Sequence, residues 1–384
     1  MLTWLRDRQP AMRFDLPELS GGLGDLGTFV PLTASLIIVC GMEGGSVLFF
    51  AGLANVAVGL AFNQPIPVQP MKAIAAVAIA EGLAPGEIAA AGFLSGAILL
   101  ALVLTGLVTA AERWIPRPVV RGIQLGVGLK LAAKGVTMAL AGGWWDLDGR
   151  LLALAAALLV LATVRAQRFP SALILLVAGI ALIPLEGLDT LAGVSLGWSG
   201  PIWIWPSLGQ WELGLTHGAL PQLPLTLLNS VIAVCALSGD LFPGRAIGSR
   251  PMAISVAVMN LGTCLFGAVP SCHGSGGLAG QHRFGARTGG SMVVLGLSKM
   301  GLGILFGSAV GVVLAAFPSS LLGVLLAFAG LELGLAAREE SGRNAFFVVV
   351  ATAVGILAVN AAVGFLLGLG AALLLLGEQR RPSG

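Results

Sequence analysis

The sequence predicts an all-α membrane protein of about 14 transmembrane spans, a 7+7 inverted repeat with two half-helices at its midplane. Three observations predict it. The 384 residues are 57% hydrophobic and 10% charged, with a mean hydropathy of +0.95. A soluble domain carries about 25% charged residues, so this chain cannot cover a surface that faces water. The apolar runs recur evenly and cationic residues gather at alternate ends of them. Finally, two of the apolar segments are too short to cross a bilayer, and prolines mark both at a constant spacing of 200 residues, Pro70 with Pro270.

A spanning helix needs ~20 mostly apolar residues. Spans are predicted near 21–41, 45–62, 70–82, 86–110, 118–140, 150–165 and 170–186. A second set falls near 221–238, 251–268, 274–284, 290–316, 318–336, 344–359 and 361–377. The halves are therefore 1–186 and 221–384, with 187–220 as an external linker. With both termini cytoplasmic, 16 of the 21 Lys and Arg fall inside, among them Arg117, Arg121, Arg245, Arg287 and Arg338. The opposite loops carry acids such as Glu43, Glu81 and Asp146, together with Trp144, Trp145, Trp198, Trp203, Trp205 and Trp211. That is the positive-inside pattern, with interfacial tryptophans on the other side. An odd number of spans per half inverts the second half. Pro118 and Pro318 repeat the 200-residue offset, as an internal duplication requires. Inverted repeats with broken helices at midplane mark secondary transporters.

The short segments carry the chemistry. In Gln64–Lys72, Pro65, Pro67 and Pro70 forbid a continuous helix, and Pro70 suits the start of the one that follows. Backbone N–H groups near Met71 and Lys72 are expected to be free there. A helix N-terminus carries roughly +0.5 charge and attracts anions, and Lys72 adds a full charge. The alternative is a lysine paired with Asp25 or Asp240, since a buried cation needs a partner. The mirror element, Pro270–Gly277, offers Cys272, His273, Gly274, Ser275 and Gly276 at a second helix start. Two such ends plus Lys72 sum to about +2, a match for a tetrahedral dianion that could not otherwise be desolvated. His273 either serves that anion or a proton, or packs against a backbone partner.

Elsewhere, Gly22, Gly24 and Gly27 satisfy GxGxxG, but no strand precedes them, so a dinucleotide site is excluded. They are expected to let the first span pack on the broken helix. Asp25, isolated in an apolar span, is a partner for Lys72 or a proton site. Thr28, Gln69, Asn229 and Gln281 complete the set of residues expected to face the substrate. Asp240 and Glu332 are candidate ion-coupling groups, Glu332 with a bond to Lys299 or a backbone group as its bland reading.

Other function classes find no support. No basic run could neutralise a nucleic-acid backbone. The cysteines Cys40, Cys235, Cys264 and Cys272 form no CxxC pair. The three histidines are not spaced as metal ligands, and no nucleophile–base signature, HExxH or Walker loop occurs. No cofactor and no catalytic residue is expected.

The stretches GGLGDLGTFVPL at 21–32, PVQPMKAI at 67–74, LNSVIAVCALSGDLFP at 228–243 and PSCHGSGGLAGQ at 270–281 resemble the molybdate transporter family, related to the sulfate permeases. The resemblance runs over nearly the whole chain. It implies the uracil-permease type of fold, with a core domain of spans 1–4 and 8–11 moving against a gate domain of spans 5–7 and 12–14. It implies molybdate as the substrate, bound between the starts of spans 3 and 10, and suggests a homodimer in the inner membrane. Charge counting alone gives a small dianion, so tungstate, sulfate and an anion channel of the same fold stay open. A nucleobase carrier is disfavoured, because the second short helix offers no carboxylate.

Overall fold

In the computed structural model, residues 10–108, 116–163, 171–186 and 196–376 are described, the side chains of Asp25, 171–173, Leu185, Glu186, Ser308 and Leu376 excepted. The chain begins with α1 (Leu16–Gly22), a 3₁₀ turn (Leu23–Asp25) and α2 (Leu26–Cys40). α3 (Gly44–Phe62) follows, then β1 (Gln69–Pro70), α4 (Lys72–Glu81), α5 (Pro85–Leu104), α6 (Arg117–Ala139), α7 (Arg150–Thr163) and α8 (Ser171–Leu182). The second half holds α9 (Leu208–Leu241), α10 (Ser249–Thr263), β2 (Ser271–Cys272) and α11 (Ser275–Arg283). It ends with α12 (Gly290–Ala315), α13 (Ser319–Leu335), α14 (Arg343–Ala358) and α15 (Ala361–Leu376). Within the described residues, each predicted span contains a helix. Among the described residues, five stretches, Gly44–Phe62, Pro85–Leu104, Leu208–Leu241, Gly290–Gly307 and Ser319–Glu339, are long and apolar enough to cross a membrane.

The largest boundary difference from the sequence expectation lies at the linker. The linker predicted to reach residue 220 gives way to helix at Leu208, where Ser207 and Gln210 form a reciprocal capping box. Pro221 and Pro224 suggest a break, since proline removes a helical hydrogen bond. Here π-helical turns at Gly214–Ala219 and Thr226–Ile232 flank them and let α9 run for 34 residues. Such wide turns are frequent at functional sites.

Helices pack in related pairs. α3 lies along α12 and α5 along α10, while α6 lies along α13. The approach is close because the contact residues are glycines: a Cβ on Gly52 would meet the Gly296 carbonyl oxygen at 2.4 Å, and one on Gly128 the Gly330 oxygen at 2.5 Å. Lipid supplies no hydrophobic drive between helices, so small residues and the dispersion contacts they permit hold such pairs. α4 is enclosed on nearly all sides, Ala73 to Ile79 being at most 1% exposed.

At the helix ends, polar contacts among the described residues join segments that the charge pattern assigns to one side. Lys130 pairs with Glu81, and Asp148 accepts from Ser319 and Ser320. At the other end Arg121 pairs with Glu339, Arg245 donates to the carbonyls of Asn63 and Arg287, and Glu18 accepts the Arg287 and Thr288 amides. Nothing among the described residues ties one set to the other.

Candidate functional site

Two short strands meet at the centre. β1 and β2 pair antiparallel with Gln69 opposite Cys272 and Pro70 opposite Ser271. Because they run in opposite senses, the helices that continue them leave in opposite directions and start near one another. Lys72 and Ser275 are equivalent positions, each three residues past the Gln69–Cys272 pair and each the first residue of its helix. The proline pattern forces this arrangement, since residues before proline are held extended.

The two helix starts are not equally open. At α4 the Met71 amide donates to the Pro270 carbonyl at 2.7 Å. The Ala73 and Ile74 amides both donate to Gln222 Oε1, at 2.9 and 3.4 Å. The expectation of free amides near Met71 is therefore corrected: an amide side chain from α9 caps this helix. Gln222 is itself held by Thr226, to which its Nε2 donates at 3.1 Å. At α11 the amides of Ser275, Gly276 and Gly277 have no acceptor among the described residues, and the first turn closes with Leu278 N on Gly274 O. Gly276 is exposed, with nothing within 4 Å of the place a Cβ would take. Ser275 Oγ donates to Asn229 Oδ1 at 3.1 Å, in the second π-helical stretch of α9.

Lys72 is half-buried, and no hydrogen bond or ion pair engages its ammonium among the described residues. Gln69, Met71 and Cys272 are buried in the strand pair. Gln69 Oε1 would lie 2.4 Å from a Cβ at Gly274, so a larger residue there would displace the Gln69 side chain. His273 is wholly buried. Its Nδ1 bonds the Pro67 carbonyl at 2.9 Å and its Nε2 contacts Ser255 Oγ at 3.1 Å. A carbonyl can only accept, so Nδ1 carries the proton and neutral Nε2 accepts from serine. The reading of His273 as a packed side chain with a backbone partner is the one the geometry matches.

The remaining candidates separate. Gly24 packs on the end of α11, where a Cβ would stand 2.9 Å from Phe284 and 3.1 Å from the Gln281 amide. Gln281 is buried there, and neither of its side-chain polar atoms has a partner among the described residues. Thr28 is half-buried. Asp25 lies outside the described side chains. Asp240 and Glu332 are exposed near the ends of α9 and α13. Lys299 does not reach Glu332: its Nζ donates to Asn55 Oδ1 at 2.9 Å and sits 3.4 Å from the centroid of the Phe29 ring.

Three polar residues that sequence reasoning passed over help build the centre. Besides Gln222 and Asn55, Asn260 of α10 clamps β2, accepting from Ser271 N at 2.9 Å and donating to Ser271 O at 2.7 Å. Their signal was visible, since each is an isolated amide in an apolar segment, where polar groups must face protein or a cavity.

With this geometry in place, comparison with known proteins identifies the chain's relatives. A family model described as "Molybdate transporter of MFS superfamily" matches residues 17–131 and 214–333, the segments that hold both half-helices. The chain belongs to the molybdate transporter family. It is 40% identical to "Molybdate transporter 2" of Arabidopsis thaliana over 98% of this chain and 90% of that one. It is 34% identical to "Molybdate transporter 1" of Chlamydomonas reinhardtii, over 95% and 92%. Among solved structures the fold matches the murine SLC26A9 anion transporter in its inward-facing state, with TM-score 0.72, 15% identity and 99% of this chain against 71% of that one. It also matches the transmembrane domain of the cyanobacterial bicarbonate transporter BicA, with TM-score 0.65, 18% identity and 93% against 97%. This family member is a multi-pass membrane protein of the anion-transporter fold, not an enzyme.

Proposed function

We propose that this chain carries molybdate across the membrane by alternating access, drawing on an ion gradient. The observation that carries the reading is the junction of the half-helices. Lys72 and the open amides of Ser275–Gly277 start from equivalent positions on one strand pair. A tetrahedral dianion in front of Ser275 and Gly276 would receive backbone N–H donors and the positive end of α11. Lys72 would supply the full charge, with Asn229 beside it. Gln69, Met71, Cys272 and Gly274 shape the floor, and His273 braces it. Thr28 and Gln281 close the side toward α1. Asp25 is the group proposed for ion coupling, because Asp240 and Glu332 are exposed.

The paired packing of α3 with α12 and of α5 with α10 supports the inverted repeat, which exchanges those two pairs. In the proposed cycle α1–α5 and α9–α12 form a core that moves against a gate of α6–α8 and α13–α15, with both termini cytoplasmic. The names of the plant and algal relatives support molybdate itself. Uptake of labelled molybdate into proteoliposomes tests the reading, with tungstate, sulfate and uracil as competitors. Tungstate should compete and uracil should not. Uptake blocked by uracil and indifferent to tungstate overturns it, saturable uptake faster for sulfate reassigns the substrate, and flux that never saturates makes the protein a channel.

A further inference from the structure

A cavity of about 300 Å³ lies between α6 and α9, away from the strand pair. At ~30 Å³ per water it has room for about ten waters, or for an oxyanion that keeps part of its hydration shell. One wall is the first turns of α6, with Arg117, Arg121 and Gln124; the other is α9, with Asn229, Ala233 and Ala236. Arg121 Nη1 donates to Gln124 Oε1 at 2.9 Å, and its Nη2 pairs with Glu339 just beyond α13. Gln124 is only 4% exposed, and its Nε2 has no acceptor among the described residues. Gln124 lines the cavity and its Nε2 is not closed off from it, so a water or an anion held there can accept from that nitrogen. Asn229, on the opposite wall, is one hydrogen bond from Ser275 at the start of α11. The cavity thus leads from two arginines to the central site.

We propose that Arg117, Arg121 and Gln124 form a second oxyanion site, a station between the α6 end of the membrane and the half-helices. Its ligand is a hydrated tetrahedral dianion, a class taken from the proposed function. Arg121 and Gln124 Nε2 donate to it, and Arg117 with the α6 N-terminus adds positive potential. Glu339 is the competitor. When the station is empty it neutralises Arg121, and an arriving dianion replaces it. The Arg121–Glu339 pair joins α6 to the turn after α13, two helices packed along each other, so exchanging partners at Arg121 requires no helix movement.

Equilibrium binding of labelled molybdate to the purified full chain in detergent, at low and at physiological salt, tests this. Two classes of site are expected, the weaker one fading with salt because its charges are partly exposed. Arg121→Gln should weaken that class about tenfold or more, the worth of a charged hydrogen bond. Glu339→Gln, at an exposed position, should tighten it about threefold, within the range for an exposed ion pair. Lys72→Ala should weaken only the tight class, about ten- to a hundredfold. Loss of neither class in Arg121→Gln, or an unchanged weak class in Glu339→Gln, overturns the station. A tight class unchanged by Lys72→Ala sinks the central reading instead, and the Arg121 and Glu339 variants still decide the station.

Discussion

The side-chain oxygen of Gln222 stands 2.9 Å from the amide nitrogen of Ala73 and accepts its hydrogen. This contact makes the two half-helices unequal. The positive end of α4 is already occupied by a neutral acceptor, and that of α11 is open. A central anion would therefore take its backbone donors from one helix and its full charge, Lys72, from the other.

Substituting Gln222 tests that asymmetry. Gln222→Ala leaves the Ala73 and Ile74 amides without an acceptor, at a cost of about 1–3 kcal/mol per buried group, so the thermal midpoint should fall. Gln222→Glu keeps the acceptor and satisfies the helix start, but sets a negative charge beside the site. Its molybdate affinity should drop at least tenfold, on the order of the 1.4 kcal/mol per decade that like-charge repulsion readily exceeds, while its midpoint holds. Wild-type affinity in Gln222→Glu would place the anion elsewhere.

Lys72 should behave as a binding group and not as a structural one. Its ammonium has no partner among the described residues, so Lys72→Ala breaks no contact of the fold seen there. A charged hydrogen bond is worth about 1.5–3 kcal/mol, and molybdate affinity should fall about ten- to a hundredfold with an unchanged melting curve. Binding isotherms and thermal unfolding of the same preparation check both halves of this expectation.

Much of this site was legible in the sequence. Pro70 and Pro270 announced the broken helices, because a missing N–H and a fixed φ act locally. Lys72 announced itself as a charge in an apolar run. The capping of α4 was not legible, because Gln222 lies 149 residues from Ala73 and only the tertiary fold brings them together. The start of α9 at Leu208 is hidden in the sequence for a related reason. Pro221 and Pro224 signal a break locally, but π-helical turns absorb the lost hydrogen bonds, and nothing in the sequence shows that widening. Two readings of His273 fit its position in the sequence, a group serving the anion or a proton and a packed side chain; the contacts of Pro67 and Ser255 with its two nitrogens match the second.

His273 should matter for stability more than for charge. Its ring joins the Pro67 carbonyl before β1 to Ser255 on α10, fixing the strand pair from behind. His273→Ala strands both partners, and at about 1–3 kcal/mol for each unsatisfied group the protein should melt earlier. Molybdate affinity in the fraction that stays folded should change less than in Lys72→Ala. A His273 variant with full stability and no binding would move the ring into the site.

The loop before α7 supplies a pH-dependent tie. Asp148 accepts from Ser319 N and Oγ and from Ser320 N, at 2.7–2.8 Å, and so caps the start of α13. Burial raises its pKa, but the bonds to Ser320 and Ser319 outweigh that and hold it below the usual carboxylate value. A depressed folded pKa means that folding favours the ionised form, so the tie is complete above the unfolded value of about 3.9 and is lost as pH falls through the folded one. Asp148→Asn should lower the thermal midpoint near pH 7, because the amide's oxygen is a weaker acceptor and its NH₂ meets donors. As pH drops below about 4, wild type should lose stability faster than the variant until the two curves meet. Melting curves from pH 7 to pH 3 check this. A gap that stays constant across that range would show that the Asp148 carboxylate contributes shape and not charge to the start of α13.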